Sequence, residues 1–170
     1  SVRIRKMPDG SKMPDSTIIR YTIDGSEPNE SSPIFDKNGI NVFDNTVLKA
    51  VMFKEGYVKS ATTTRVFLFH SRAINIPIIS LVMDEQDLYS EDFGIIANNQ
   101  TNSSRNNWRR PATFEYFGRG GKSSLLSQPT EVRISGAYSR EAPLKSMIIY
   151  ADKRFGTDDF FMKAFWPTTR

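Results

Sequence analysis

The chemistry that this sequence could support is concentrated in three basic residues of its second half. Arg133, Arg140 and Lys145 surround a glycine-containing turn, and the lysine stands at the beginning of a strand-like run. Phosphoryl transfer depends on cations near the transferring group and on a lysine held by a rigid strand, because catalysis there is mainly positioning and charge stabilisation. The three residues are therefore candidates for contacting the phosphates of a nucleotide. The alternative is that they lie on the solvent side of a β-pair.

Two aromatic residues are candidates for contact with a sugar. Trp108 is followed by Arg109 and Arg110, and aromatic rings beside arginine stack on sugars or bases. The alternative for Trp108 is that it anchors a long loop against the core. Tyr57 follows Gly56 and is either an exposed platform for a sugar ring or a residue packed where a strand begins. The sequence leaves both alternatives open.

The residue inventory excludes several kinds of site. There is no cysteine and one histidine, His70, so a disulfide framework, a catalytic thiol and a multi-histidine metal site are excluded. Asp24, Glu27 and Glu30 lack the spacing of a calcium loop, and no metal site is predicted. No apolar run is long enough to cross a bilayer, so no membrane insertion is expected. Residues 101–170 hold 12 Lys and Arg against 6 Asp and Glu but match no nucleic-acid motif, so no nucleic-acid partner is expected.

Strand-like runs separated by turns must position these residues. In residues 1–70, runs rich in β-branched and aromatic residues alternate with turns such as "DG", "DKNG" and "KEGY", which is typical of a small β-sandwich. Further on, "IPIISLV" is predicted to be a buried strand and "DEQDLY" a short helix with Asp84 as its N-cap. The runs "ATFEYF", "TEVRIS" and "KSMIIYA" are predicted to be strands. The predicted fold class is mainly β, with an Ig-like β-sandwich at 1–70, a linker at 71–75 and a second β-rich (α+β) partial domain at 76–170.

The first part of the sequence resembles a known family. Its turn "YTIDGSEP" is followed by "SSP", "LKA" and "GYVKS" in the order expected for the chitobiase/β-hexosaminidase C-terminal-type domain, also called the Fn3-associated domain. The resemblance implies an immunoglobulin-like sandwich that is appended to secreted bacterial enzymes, often those acting on polysaccharide, and that has no catalytic residues of its own. Within the turn, Asp24-Gly25 is predicted to end a strand, and Pro28 and Pro33 to hold the connection extended.

The second part is similar to the start of the CotH-type kinase domain, the family of bacterial spore-coat protein kinases. The similarity rests on "IPIISLV", "WRRPA" and above all "VRISGAYSREAPLKSMIIYADKRFG". An Arg-x-x-Gly-x-x-Ser-Arg element followed by Pro-x-Lys-Ser is matched by Arg133, Gly136, Ser139, Arg140, Pro143, Lys145 and Ser146. The sequence departs from the family at Leu144, where a second basic residue is usual, and at Ser135, where arginine or histidine is common before the glycine.

Together the resemblances predict a segment without catalytic activity of its own. The second implies that Arg133, Arg140 and Lys145 form the nucleotide-facing part of a site whose carboxylates lie further along a longer parent. ATP and Mg²⁺ are then cofactors of that parent, and no cofactor is expected in this segment. The first domain is expected to be a spacer or binding module of a secreted or surface bacterial protein, with the rest of the parent chain and a secreted protein or polysaccharide as partners. The alternative is a carbohydrate-associated module of a polysaccharide-active, chitobiase-like enzyme.

Overall fold

The computed structural model describes residues 16–36, 38–70, 75–98, 108–121, 124–136 and 140–151. The chain divides into two units, Ser1–Ala73 and Ile74–Arg170, and each unit contains one antiparallel sheet. One of the two sheets curls into a half-barrel, and the described residues contain a single short helix. The prediction of a mainly β fold is confirmed. The limits of the predicted domains and of the linker stay predictions.

Unit 1 is built on a three-stranded sheet in the order β1-β2-β3. The strands are β1 (Ile18–Thr22), β2 (Thr46–Phe53) and β3 (Thr63–Phe67), and both pairings are antiparallel. β-branched and apolar residues dominate all three strands, as the sequence pattern predicts. The buried apolar residues on these strands are Ile19, Leu48, Val51 and Val66. The central strand therefore contributes two of these four residues, and each outer strand contributes one.

The connection between β1 and β2 folds back along the outer edge of β1. The Tyr21 N–H donates to the Pro33 carbonyl (3.1 Å), and the Phe35 N–H donates to the Ile19 carbonyl (2.8 Å). An antiparallel bridge joins Arg20 to Ile34 between these two bonds. The returning chain thus covers an edge of β1 that would otherwise present unpaired backbone groups to another chain.

Unit 2 contains a four-stranded sheet in the order β4-β5-β6-β7. The strands are β4 (Ile78–Val82), β5 (Arg110–Phe117), β6 (Ser124–Ser135) and β7 (Ser146–Tyr150), and each pairs antiparallel with its neighbour. β6 begins well before the predicted run "TEVRIS" and includes Pro129. Pro129 and Pro111 both lie where their strand has a neighbour on one side only, which is where a sheet tolerates a residue without an N–H.

The single helix of the described residues, α1 (Glu85–Tyr89), follows β4 and packs on one face of this sheet. Asp84 is its N-cap and accepts a hydrogen bond from the Gln86 N–H (2.9 Å), which confirms the predicted cap. The core on this face consists of Ile95, Ala112, Val132 and Ile134, with Leu81, Met83, Leu88, Ile96, Trp108 and Ile149 packed against it. No helix in the described residues is long and apolar enough to cross a membrane.

The prediction that "IPIISLV" is a buried strand is wrong in one respect. The run does form β4, but Ile79 is 52% exposed. The reason is the position of β4 at the edge of the sheet, where it pairs with β5 alone. An apolar run identifies a strand, but the strand order decides whether both of its faces are covered.

Gly94 provides a test of the packing beside α1. A Cβ at this position would lie 2.5 Å from the Ser90 nitrogen and 2.7 Å from the Ser90 carbonyl oxygen, both of them backbone atoms. Gly94→Ala is therefore expected to lower the free energy of unfolding by more than about 2 kcal/mol, measured by denaturant titration.

The matched control for this prediction is Gly118→Ala. Its Cβ would meet Leu125 Cδ1 at 2.8 Å, which is the far end of a flexible side chain that can move aside. We expect this variant to lose less than about 1 kcal/mol. Equal losses in the two variants would contradict the proposed backbone clash at Gly94.

Candidate functional site

The loop between β6 and β7 holds two of the three predicted phosphate-contacting residues. Lys145 Nζ donates to the Arg140 carbonyl (2.5 Å), and Arg140 Nε donates to the Gly136 carbonyl (2.5 Å). Gly136 has φ 103°, a conformation that glycine adopts without strain. The structure therefore brings Arg140 and Lys145 together, but one donor of each closes the loop on itself. Ser139, which belongs to the same sequence element, lies outside the described residues.

Arg133, the third predicted residue, lies in a different group of side chains. Arg133 Nε donates to the Tyr150 hydroxyl oxygen (2.6 Å), and its guanidinium carbon is 5.8 Å from the centroid of the Tyr150 ring. The Arg109 guanidinium carbon is 3.7 Å from the same centroid, and Arg109 Nη1 is 3.6 Å from Glu131 Oε2. We call Arg109, Glu131, Arg133 and Tyr150 the Tyr150 cluster.

Strand register explains why these four residues meet. Glu131 is paired with Tyr150 on β7 and with Pro111 on β5. Residues two apart in a strand share a face, so Arg133 lies on the face of Glu131, and Arg109, two residues before Pro111, lies on the same face. Val132 and Ile134 point to the other face and belong to the core. The Tyr150 cluster is therefore on the face of the sheet opposite α1.

Sequence patterns alone did not identify Arg109 and Tyr150 as partners of Arg133. Alternation within "EVRIS" does place Glu131 and Arg133 on one face, away from the two apolar residues between and after them. The pairing of β6 with β5 and β7 joins residues distant in sequence, and no local signal specifies that register. The cluster thus became visible only in the folded sheet.

Trp108 lies on the core side of the same sheet. It packs against the core, and the Arg110 guanidinium carbon is 4.7 Å from the centroid of its ring. Its Nε1 is buried and has no hydrogen-bond partner in the described part of the chain. This placement favours the interpretation of Trp108 as an anchoring residue over that of an open sugar platform.

Arg110 connects β5 to the helix and to the turn that follows it. Arg110 Nε donates to the Phe93 carbonyl (3.0 Å) and lies 3.5 Å from Asp87 Oδ1. Burial raises the pKa of Asp87 above its ordinary value; the Arg110 guanidinium opposes this shift and the Asp84 carboxylate adds to it. The adjacent arginines thus face opposite sides of the sheet, with Arg110 in a structural ion pair and Arg109 in the Tyr150 cluster.

In the turn after β1, the polar side chains form hydrogen bonds with other residues of the same turn. Ser26 donates to Asp24 Oδ1 through its backbone N–H (3.0 Å) and its hydroxyl (2.6 Å). These two bonds, the side-chain bond first, lower the pKa of Asp24. Asn29 Oδ1 accepts the same pair of bonds from Ser31 (2.9 Å and 2.6 Å). Within the described residues, no three His, Cys, Asp or Glu side chains are placed to hold a metal ion.

Glu27 extends from this turn to the neighbouring strands. Its Oε2 lies 3.7 Å from Lys49 Nζ on β2, and its other carboxylate oxygen accepts a hydrogen bond from the Thr62 hydroxyl just before β3. Lys49 is buried, so this carboxylate compensates a charge that has little access to water. Glu27 therefore holds the turn against the sheet, which is a structural role.

Tyr57 lies in the connection between β2 and β3. The residue is 70% exposed, and Val58 beside it is 94% exposed. The Tyr57 N–H donates to the Lys54 carbonyl (3.1 Å) through a turn in which Gly56 has φ 76°. Lys54 Nζ lies 4.6 Å from the centroid of the Tyr57 ring. The turn thus presents a large aromatic ring to solvent, with a cation beside it.

Comparison with known proteins concerns this first unit. Residues 10–64 match the family described as chitobiase/beta-hexosaminidase C-terminal domain. An accessory domain of this family is present in the chain. The match to the chitobiase-type domain includes β1, β2, the Asp24 turn and Tyr57.

Beyond the chitobiase-type domain, the comparisons add no further family. No curated protein and no solved structure matched the chain. Nothing found supports a CotH-type domain in residues 76–170, so the kinase resemblance, with its nucleotide and Mg²⁺, stays a prediction. The positions of Arg140 and Lys145 do not strengthen it, because each directs a donor to its own loop.

Arg110 is predicted to limit the rise in the pKa of Asp87. A carboxyl whose pKa is raised by folding adds stability below its ordinary pKa, and this contribution is lost as pH rises through the folded-state pKa. In Arg110→Gln the pKa of Asp87 should rise further, as measured by NMR titration of the carboxyl carbon. Arg119→Gln, which removes an exposed arginine, should leave the pKa of Asp87 unchanged. A lower Asp87 pKa in Arg110→Gln would contradict the role of the ion pair.

Asp24 is predicted to show the opposite pH dependence. Because folding lowers its pKa, its contribution to stability is present above the ordinary aspartate pKa and is lost as pH falls through the folded-state value. Ser26→Ala should raise the pKa of Asp24 toward its ordinary value in a carboxyl NMR titration. Ser31→Ala breaks the equivalent bond to Asn29 and should not move it. Equal shifts in both variants would show that Ser26 is not the cause.

Proposed function

We propose that the chitobiase-type domain is a carbohydrate-associated binding module of a polysaccharide-active protein, and that Tyr57 is its sugar contact. The observation that carries the proposal is the 70% exposure of Tyr57 in the connection between β2 and β3. The family description supports the carbohydrate context, because it names chitobiase and hexosaminidase. Trp108, the other candidate, has a partly buried ring packed against the core and is not part of the proposal.

The surroundings of Tyr57 suit the face of a sugar ring. A pyranose presents an apolar surface of C–H groups on its face and hydroxyl groups around its rim. The aromatic ring offers a flat apolar area of matching size, and covering it removes that area from water. Lys54, whose ammonium lies 4.6 Å from the centroid of the ring, carries donors suited to hydroxyl groups at the rim.

Hydrogen bonds in the turn around Tyr57 restrict the backbone conformation of this residue before a ligand binds. The Tyr57 N–H is bonded to the Lys54 carbonyl within the turn, and the Ser60 N–H is bonded to the Met52 carbonyl (3.1 Å), which ties the end of the turn to β2. The Ser60 hydroxyl also accepts from the Met52 N–H (3.0 Å). A preorganised contact loses less conformational entropy on binding, which favours recognition even by a small surface.

In this proposal the module belongs to a secreted or surface bacterial protein and brings a neighbouring catalytic domain to polysaccharide. Its partners are the rest of the parent chain and the glycan. A single aromatic contact provides about 1.5–3 kcal/mol, so the module by itself should bind weakly, with a Kd of about 10 mM or higher. Weak binding of this kind becomes effective when a second domain of the same chain binds the same polymer.

The test is a titration of the whole chain with oligomers of N-acetylglucosamine and with a panel of other glycans, followed by NMR. We expect shifts confined to the Tyr57 turn, and loss of binding in Tyr57→Ala. Tyr57→Phe keeps the ring and should retain most of the affinity, because the contact is made by the ring face.

Phe43→Ala is the matched control. Phe43 is also a strongly exposed aromatic residue of unit 1, but it precedes β2 instead of following it. Its removal should leave glycan binding unchanged. A flat response to every glycan, or an equal loss in Phe43→Ala and Tyr57→Ala, would overturn the proposal.

A further inference from the structure

We propose that the Tyr150 cluster in unit 2 is a binding site for an oxyanion, such as the phosphate or carboxylate group of a larger molecule. The site consists of the guanidinium groups of Arg109, over the Tyr150 ring, and of Arg133, at the Tyr150 hydroxyl. It lies in a different unit from Tyr57 and does not depend on the proposed sugar contact. It also differs from the predicted phosphate site, because Arg140 and Lys145 take no part in it.

The first argument is the number of unused donors. Arg133 donates Nε to the Tyr150 hydroxyl (2.6 Å), and its two terminal nitrogens have no partner in the described part of the chain. Arg109 Nε is buried and likewise lacks a hydrogen-bond partner among the described residues. Buried donors of a charged group are rarely left unpaired, because losing their bonds to water is costly. The terminal nitrogens of Arg133 are not among the buried atoms, so they are the donors that an acceptor from outside the chain can reach.

The second argument is the balance of charge. Two guanidinium groups lie within 6 Å of the Tyr150 ring centroid, at 3.7 Å and 5.8 Å, and Glu131 is the one carboxylate in the cluster. Glu131 Oε2 is 3.6 Å from Arg109 Nη1, which is an ion pair too long for a hydrogen bond. The cluster therefore keeps a net positive charge that suits an anion.

The third argument is geometric preorganisation. The Tyr150 ring stacks against Arg109, and its hydroxyl accepts from Arg133, so one residue fixes the orientation of both cations. The remaining terminal N–H groups of an arginine lie in one plane, which matches two oxygens of a phosphate or carboxylate. The Arg109 side chain is 30% exposed, so a ligand can reach the cluster from solvent.

The experiment titrates the whole chain with inorganic phosphate and, separately, with glucuronate at constant ionic strength, and follows the arginine side-chain and tyrosine ring signals by NMR. At least one probe should shift the signals of Arg109, Arg133 and Tyr150 together. A response to phosphate alone identifies a phosphorylated partner, and a response to glucuronate alone identifies an acidic sugar. Absence of a response to both overturns the proposal.

Variants distinguish binding at a specific site from non-specific attraction of an anion to positive charge. Arg133→Gln should weaken binding of the responding probe at least about tenfold, the effect of losing a hydrogen bond to a charged group. Arg133→Lys keeps the charge but not the planar fork, and it should also weaken binding while the near-ultraviolet circular dichroism stays unchanged. Arg119→Gln removes an equal charge from an exposed turn. A loss in Arg119→Gln equal to that in Arg133→Gln, or full affinity in Arg133→Lys, overturns the proposal.

Discussion

The pairing register of β6 with its two neighbours is the constraint on which the second unit depends. Because side chains alternate along a strand, the pairing of Glu131 with Pro111 and Tyr150 directs Val132 and Ile134 into the core and Arg133 away from it. A slip by one residue would bury Arg133 and expose Val132. The same register that closes the core therefore also assembles the Tyr150 cluster on the opposite face.

The arginines of unit 2 show how position within the fold assigns different roles to one residue type. Arg110 lies beside Asp87 and ties β5 to the segment around α1. Arg140 is buried and donates to the backbone of its own loop. Arg133 meets an aromatic ring and keeps donors that no other described residue uses. Arg110 and Arg140 thus have structural roles, whereas Arg109 and Arg133 form the pair that we propose for ligand binding.

In unit 1, the most recognisable stretch of sequence is a structural device. The side chains of Asp24 and Asn29 bond to residues two positions ahead, and Glu27 reaches β2 and the start of β3, so their oxygens stabilise the turn and its contact with the sheet. Tyr57, in the connection between β2 and β3, is exposed. The turn that is most recognisable in the sequence and the residue that we propose for the function therefore lie in different connections of the same domain.

The sequence by itself determined the elements, because strands, turns and caps depend on residues close together in the chain. Alternating β-branched residues predicted β1, β2 and β3, and Asp84 predicted the start of α1. The turn motif also indicated the chitobiase-type domain. Only the tertiary structure decided that Ile79 is exposed on an edge strand, that Trp108 faces the core and that Arg133 meets Arg109 and Tyr150. Those outcomes depend on strand order and register, which are set by contacts between residues far apart in sequence.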